Sequence, residues 1–170
     1  MKMKCSYCKV EMGKRRATDA RPYVYKLSGL ENEHLVGIEV FTCPRCGIET
    51  PVIPRVAQLH NVIADGIVRQ STMLGGDQIR FLRKHAGLPA QKFARLIGIS
   101  PEHLSRIERG HTANLGKPTD RLVRALTLTA TEGPAARAML LSIADELAQG
   151  KKGEATQTYK LRRQGWRRQA

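Results

Sequence analysis

The sequence predicts an α+β fold in which a small β-rich N-terminal module is joined to an all-α domain. Three observations support this prediction. Short runs that alternate apolar and polar residues lie within 1–54, and an apolar spacing of three and four residues begins after 54. Gly, Pro and Ser/Thr signals then divide 75–150 into short helical segments. A chain of 170 residues is long enough for two small domains, and we expect two small cores.

Strand-like runs come first in the chain, at 23–27, 35–42 and 48–53. Turn residues separate them, as expected for a small antiparallel sheet. These turn residues are Gly29, Asn32, Pro44 and Gly47.

Four cysteines flank these runs in two C-x2-C pairs, Cys5 with Cys8 and Cys43 with Cys46. This spacing lets each pair hold one face of a tetrahedral Zn²⁺, and four thiolates close the coordination shell. Catalytic zinc keeps an open position, so the predicted zinc is structural. Gly47 can adopt a positive φ and close its knuckle. A C-x-x-C redox pair is the alternative, but it would need a thioredoxin-like βαβ context that the sequence lacks.

Helical spacing begins after Pro54 and predicts a connecting helix at 55–70. Further helices are predicted at 77–86, 89–97, 101–109, 119–130 and 134–148. The segment 151–170 is basic and Gln-rich without apolar periodicity, which favours a disordered tail. The predicted organisation is a zinc-binding module at 1–54, a connecting helix and linker at 55–74, a helical domain at 75–150 and the tail at 151–170.

The segment 90–109 has the residue types of a helix-turn-helix. Ala94 is small where two helices approach, and Gly98 suits a left-handed residue at the end of the first helix. Ser100 can cap the second helix, and Pro101 suits its first position. Apolar residues occupy the inward positions, namely Phe93, Ile97, Ile99, Leu104 and Ile107. The alternative is an ordinary helical hairpin with a Gly turn.

These residues resemble the lambda-repressor-like (XRE) regulators, most closely over 77–110. The matching segments are Ile79-Arg80-Phe81-Leu82-Arg83-Lys84, Gly87-Leu88, Phe93-Ala94, Gly98-Ile99-Ser100 and Leu104-Ser105-Arg106-Ile107-Glu108-Arg109-Gly110. With the Cys₄ module, the chain resembles the MqsA-type antitoxins, also called YgiT-type zinc-finger regulators, over about 1–130. The resemblance implies an all-α helix-turn-helix domain whose second helix enters the major groove, and a homodimer that reads two half-sites. It also implies that Arg80 or Arg83 pairs with Glu108.

By that resemblance, the candidate base-reading residues are Ser100, Glu102, His103 and Arg106. Lys92, Arg95 and Arg109 flank the motif and are candidate phosphate contacts, with solvated surface as their alternative. Arg106 is the main candidate, because its guanidinium can bind guanine O6 and N7 together; a phosphate contact is its alternative role. Glu102 can accept from a cytosine amine or serve the positive helix terminus. Ala90 and Pro101 depart from the family, so base reading is expected to rest more on Gln91, His103 and Arg106.

The net charge of +14 makes nucleic acid the leading partner. Residues 151–170 hold seven basic and one acidic residue, and this composition favours nonspecific DNA contact. RNA, an acidic protein or no particular partner are the alternatives. The sequence therefore predicts a duplex-DNA-binding transcriptional regulator. An antitoxin that also neutralises an RNA-cleaving toxin and a zinc-ribbon protein that binds RNA or the ribosome are the alternatives.

An enzyme is not expected, because no nucleophile stands at a useful spacing from a base and no phosphate-binding Gly loop is present. Neither a signal region nor an apolar run of membrane-spanning length occurs, so we expect a cytoplasmic protein.

Overall fold

A three-stranded antiparallel sheet and a separate strand pair form the N-terminal part of the protein. The computed structural model describes residues 3–112, 115–132, 159–162 and 165–168. Its first five strands are β1 (Gly13–Arg16), β2 (Tyr23–Val24), β3 (His34–Leu35), β4 (Glu39–Thr42) and β5 (Glu49–Val52). β4 is the central strand between β1 and β5, and β2 pairs with β3. Phe41 fixes the register of the sheet, since it lies opposite Lys14 on one side and Thr50 on the other.

The predicted strands differ from the observed ones where the backbone turns. The run 23–27 ends early in a 3-10 turn at Lys26–Ser28, which leaves Leu27 exposed. The run 35–42 is divided by Gly37, whose φ of 79° does not fit a strand. β1 was not predicted, because Gly13–Arg16 contains no apolar residue and only its pairing with β4 makes it a strand.

Five helices follow, close to the predicted ranges. They are α1 (Val56–Arg69), α2 (Gly76–His85), α3 (Ala90–Leu96), α4 (Pro101–Glu108) and α5 (Lys117–Glu132). The predicted sixth helix at 134–148 lies outside the described residues. The α+β class is confirmed: a small antiparallel β region precedes the helices. Within the described part of the chain, no helix is both long and apolar enough to cross a membrane.

The two buried clusters do not divide at residue 54, where the sequence predicted a domain boundary. The larger cluster runs from Tyr23, Tyr25 and Val40 through α1 into α2, α3 and α4. The smaller cluster consists of Met12, Phe41 and the buried cysteines Cys5 and Cys43. Neighbouring residues of a strand face opposite sides. Val40 and Phe41 are both fully buried, so β4 separates the two clusters.

Polar contacts also join the N-terminal module to the helices. The Tyr25 hydroxyl lies 2.9 Å from Nε2 of His60 on α1. Burial raises the pKa of Tyr25, so the hydroxyl keeps its proton and can donate to the imidazole. On α2, Arg80 donates from Nη2 to the carbonyl of Gly29 at 3.2 Å. The module is therefore held against α1 and α2 by packing and hydrogen bonds together.

An ion pair on α5 fixes the linker between α1 and α2. Arg124 and Asp120 are 2.7 Å apart, and both side chains are largely buried. The guanidinium donates to the carbonyls of Val68, Gln70 and Thr72, while the other carboxylate oxygen of Asp120 accepts from the N–H of Leu74. These two side chains thus satisfy four backbone groups at the end of α1 and in the linker, namely three carbonyls and one N–H.

Two further strands lie in the segment predicted to be a disordered tail. β6 (Tyr159–Arg162) and β7 (Gly165–Arg168) pair antiparallel, and the register places Leu161 opposite Trp166. Residues 159–162 alternate apolar and basic side chains. This period of two is typical of a strand and differs from the helical spacing of three and four residues.

Candidate metal centre and nucleic-acid interface

The four cysteines meet at one point in the N-terminal module. Their sulfurs all lie within 4.8 Å of one another, and the Sγ atoms of Cys5 and Cys46 are 3.7 Å apart. Tetrahedral Zn²⁺ with Zn–S bonds of about 2.3 Å places its sulfurs about 3.8 Å apart. The four residues predicted from spacing thus form one cluster whose size suits a single tetrahedral metal ion.

Each C-x2-C pair has the same backbone geometry. The N–H of Cys5 donates to Val10 and the N–H of Lys9 donates to the carbonyl of Cys5, at 2.9 and 3.0 Å. The second pair repeats both bonds at the same distances, from Cys43 to Ile48 and from Gly47 to Cys43. The two halves of the site are therefore equivalent knuckles.

The residue after each second cysteine has a left-handed backbone. Gly47 has a φ of 73°, which confirms the sequence prediction, and Lys9 has a φ of 60° at the equivalent place. This conformation turns the chain so that its N–H groups face the cysteine sulfurs, as the Cys8 N–H does toward Cys5 Sγ at 3.4 Å. Lys9 adopts it without the freedom of a glycine.

Electrostatics at the cluster also favour a cation. Backbone N–H groups of Cys46 and Arg45 lower the pKa of the Cys43 thiol to about 7. The neighbouring Cys46 sulfur, together with burial, raises the pKa of Cys8 to about 12. Four thiolates this close repel one another, and a bound Zn²⁺ would offset that repulsion. The donor set of four sulfurs and its spacing fit zinc, which would have a structural role at such a closed site.

Helices α2 to α5 bury the apolar positions that the helix-turn-helix pattern predicts. Ala94 on α3 is completely buried, as are Ile79, Leu82 and Leu104 on neighbouring helices. Gly98 between α3 and α4 has a φ of 73°. Both predictions for this turn, a small Ala94 and a left-handed Gly98, are confirmed.

Three successive helices end in the same glycine motif. At the end of α2, the N–H of Gly87 bonds to Lys84 and the next N–H bonds to Arg83. Gly98 after α3 and Gly110 after α4 repeat this pattern, each with a positive φ. These are Schellman caps, which satisfy the last helix carbonyls and stop the helix at a defined residue.

The start of α4 is fixed by Ser100, as predicted. Its hydroxyl accepts from the N–H of His103 at 3.1 Å, and Pro101 occupies the first turn. The Ser100 oxygen thus has a capping role in addition to any contact with DNA. Glu102 follows in the first turn, where its own backbone N–H and the Ser100 hydroxyl lower the pKa of its carboxyl group. The lowered pKa keeps Glu102 charged at the helix N-terminus, and its two predicted roles stay predictions.

One side of α4 is buried and the other is open. Leu104 and Ile107 are buried, while Glu102 and Arg106 are exposed and His103 is half-buried. The remaining predicted contact residues are all exposed at or near the two helix starts and the helix end, namely Gln91, Lys92, Arg95, Ser100 and Arg109. The predicted residues therefore occupy the solvent side of α3 and α4, and their contacts with DNA stay a prediction.

Sequence reasoning missed one residue on which this arrangement depends. Gly76 opens α2 directly against the end of α4, where a Cβ atom would overlap the backbone carbonyl of Ile107. The pair Gly75-Gly76 is visible in the sequence, but a glycine pair by itself indicates a chain break and not a close contact between helices. The second glycine allows α2 and α4 to pack backbone to backbone.

Comparison with known protein families identifies the helical part of the chain. A family model described as "Helix-turn-helix" matches residues 79–119. The matched segment begins within α2 and ends within α5, so it includes α3, α4 and the turn at Gly98 between them. A search of curated proteins found no match.

Proposed function

We propose that this protein is a sequence-specific duplex-DNA-binding transcriptional regulator, a repressor or autoregulator, with a structural zinc site. The observation that carries the proposal is α4, a helix capped at both ends whose apolar side is buried and whose open side presents Arg106. A short helix held in this way can enter the major groove with its N-terminal half toward the bases. The helix-turn-helix match at 79–119 and the net charge of +14 support the same function.

Arg106 is proposed to read a guanine, with Gln91 and His103 as neighbouring readers. Lys92, Arg95 and Arg109 would contact phosphates on either side of the groove. The guanidinium of Arg106 is exposed, so a bidentate bond to guanine O6 and N7 requires no repacking of the helix.

The test is selection of binding sites from random duplex DNA with the parent protein and with Arg106→Ala. Loss of a guanine contact lowers discrimination at one base pair by about 1–3 kcal/mol. Arg69→Ala is the control, because it removes the same charge from an exposed position on α1. If Arg106→Ala weakens binding to every sequence equally, Arg106 contacts phosphate and the reading assignment is wrong.

We also propose that the protein binds as a homodimer, because one short helix reads too few base pairs for useful specificity. Selected sites should then contain two related half-sites in two-fold arrangement. A single half-site, with one chain bound per site in light scattering, would contradict the dimer.

No described contact points to a toxin partner or to an enzymatic role, so we propose neither.

The proposed zinc has its own test. Elemental analysis of the purified protein should give one zinc per chain, and Cys8→Ser or Cys43→Ser should reduce this value strongly. Tyr7→Ser is the control, since Tyr7 is exposed within the first knuckle and supplies no sulfur. A parent protein purified without metal, and unable to take up Zn²⁺, would exclude the site.

A further inference from the structure

The strand pair β6–β7 forms a short two-stranded ribbon near the end of the chain. Its register pairs Tyr159 with Arg168, Lys160 with Arg167, Leu161 with Trp166 and Arg162 with Gly165. Only residues 163 and 164 separate the two strands. The helix-turn-helix match ends at 119, so the ribbon is an addition to that domain.

The register sorts the ribbon residues onto two faces. Successive residues of a strand belong to opposite faces, and paired residues share a face. Lys160, Arg162 and Arg167 are therefore placed on one face. The opposite face contains Tyr159, Leu161, Trp166 and Arg168.

The three basic residues occupy neighbouring positions on their face of the ribbon. Residues i and i+2 of one strand lie about 6.8 Å apart on the same face, and neighbouring strands lie about 4.8 Å apart. The backbone positions of the three basic residues therefore lie within roughly this distance of one another. The segment 151–170 contains seven basic residues and one acidic residue, which accounts for +6 of the net charge of +14. A partner that matches this spacing must carry several closely spaced negative charges.

We propose that the basic face of this ribbon, formed by Lys160, Arg162 and Arg167, binds the phosphate backbone of duplex DNA without reading its sequence. The inference rests on the proposed function, which brings DNA to α4 and so gives the ribbon a phosphate backbone to contact. The ribbon adds affinity and salt dependence, whereas α4 supplies sequence preference.

The test measures the affinity of the full chain for its selected duplex and for a scrambled duplex as a function of salt. The variant is Lys160→Gln with Arg162→Gln and Arg167→Gln. Three lost phosphate contacts reduce the slope of log K against log salt by about 2.7. Between 50 and 200 mM salt, the parent should therefore lose affinity roughly 40-fold more steeply than the variant. The reduction should be equal on both duplexes.

A matched control removes three exposed cations elsewhere, with Arg21→Gln, Lys26→Gln and Arg69→Gln. It keeps the net charge of the ribbon variant, so the two salt slopes separate a local contact from a general charge effect. Equal slopes for the two variants would overturn the proposal. A sequence preference altered by the ribbon variant would also overturn it. The same titration is repeated with duplex RNA, and a larger affinity loss of the ribbon variant on RNA than on DNA would overturn the proposal as well.

The same experiment separates this inference from the proposed function. If the parent shows no preferred sequence but the ribbon variant loses its salt slope, the ribbon is a phosphate contact and the regulator assignment fails. If the parent keeps its preferred sequence and the ribbon variant matches the control, the ribbon inference fails alone. Circular dichroism and zinc content of both variants verify that the rest of the fold is intact.

Discussion

Arg83 on α2 and Glu108 on α4 form a two-pronged ion pair inside the helix-turn-helix domain. Nε and Nη2 of the arginine donate to the two carboxylate oxygens at 2.6 and 2.8 Å, and each side chain is only about one-tenth exposed. The third nitrogen donates to the carbonyl of Leu88. The pair therefore ties the end of α4 to α2 and to the turn before α3. It also explains why Glu108 does not face the solvent side of α4.

Removal of this pair should strongly destabilise the domain. Glu108→Ala leaves the Arg83 charge buried without its partner, and we expect the free energy of unfolding to fall by about 3 kcal/mol. Urea unfolding followed by circular dichroism measures the change. The control is Asp65→Ala, which removes an exposed ion pair with Arg69 on α1 and should cost no more than about 0.5 kcal/mol. Similar costs for the two variants would show that the buried pair has no special role.

Much of the site could be predicted because its residues are close in sequence or repeat a known spacing. The two C-x2-C pairs repeat a known spacing, whereas the left-handed Gly98 and the Ser100 cap are local features. The cysteine cluster, the Gly98 conformation and the Ser100 cap are all confirmed. The resemblance left Arg80 and Arg83 as alternative partners for Glu108. Packing decides between them, since Arg80 bonds to Gly29 instead.

The unpredicted features depend on contacts between residues distant in the chain. Arg124 on α5 binds carbonyls of the linker more than fifty residues earlier, and no periodicity indicates such a contact. The bond between Tyr25 and His60 likewise joins the predicted zinc-binding module to the predicted connecting helix. Local patterns thus predicted the elements well, while the continuity of the core across them required the tertiary structure.

The two knuckles offer a direct test of backbone strain. Lys9→Gly relieves a left-handed conformation that costs a non-glycine residue about 1–2 kcal/mol, although glycine gives back part of this in chain entropy. We therefore expect stability to rise by about 0.5 kcal/mol. Gly47→Lys reverses the exchange at the equivalent position and should lower stability by about 1 kcal/mol. No atom lies near a Cβ at Gly47, so this cost comes from the backbone alone. Thermal unfolding of the zinc-loaded protein measures both variants, and changes of the same sign would contradict the argument.

His85 should make stability depend on pH. Its ring stacks on Phe81 in a small aromatic group that includes His60. Burial, together with the nearby His60, lowers the pKa of His85 below its ordinary value of 6.5. The unfolded chain therefore binds a proton more readily than the folded one. The contribution of neutral His85 to stability is fully present above pH 6.5 and is lost as the pH falls from there through its lowered pKa.

The variant that tests this is His85→Gln, which cannot gain the proton. Urea unfolding between pH 5 and 8 should show a smaller loss of stability on acidification for the variant than for the parent. His34→Gln replaces an exposed histidine on β3 and serves as the control. Because all three proteins keep the same cysteines, the metal site contributes equally to each. A parallel pH dependence of parent and His85→Gln would exclude His85 as the responsible group.

Two glycines in neighbouring helices should respond in opposite directions to the same substitution. Gly76→Ala places a methyl group on the backbone of Ile107, which is not the movable end of a side chain. Either α2 or α4 must shift, and overpacking of this kind costs about 1–3 kcal/mol. Gly66 lies within α1 with no atom near its Cβ position, so Gly66→Ala should raise stability by about 0.5–1 kcal/mol.

A shift of α4 would also displace Arg106, so Gly76→Ala should weaken binding to the selected duplex beyond its effect on folding. Unfolding and DNA-binding measurements on both variants test this, and a fully folded Gly76→Ala with unchanged affinity would show that the close approach of α2 and α4 is not required.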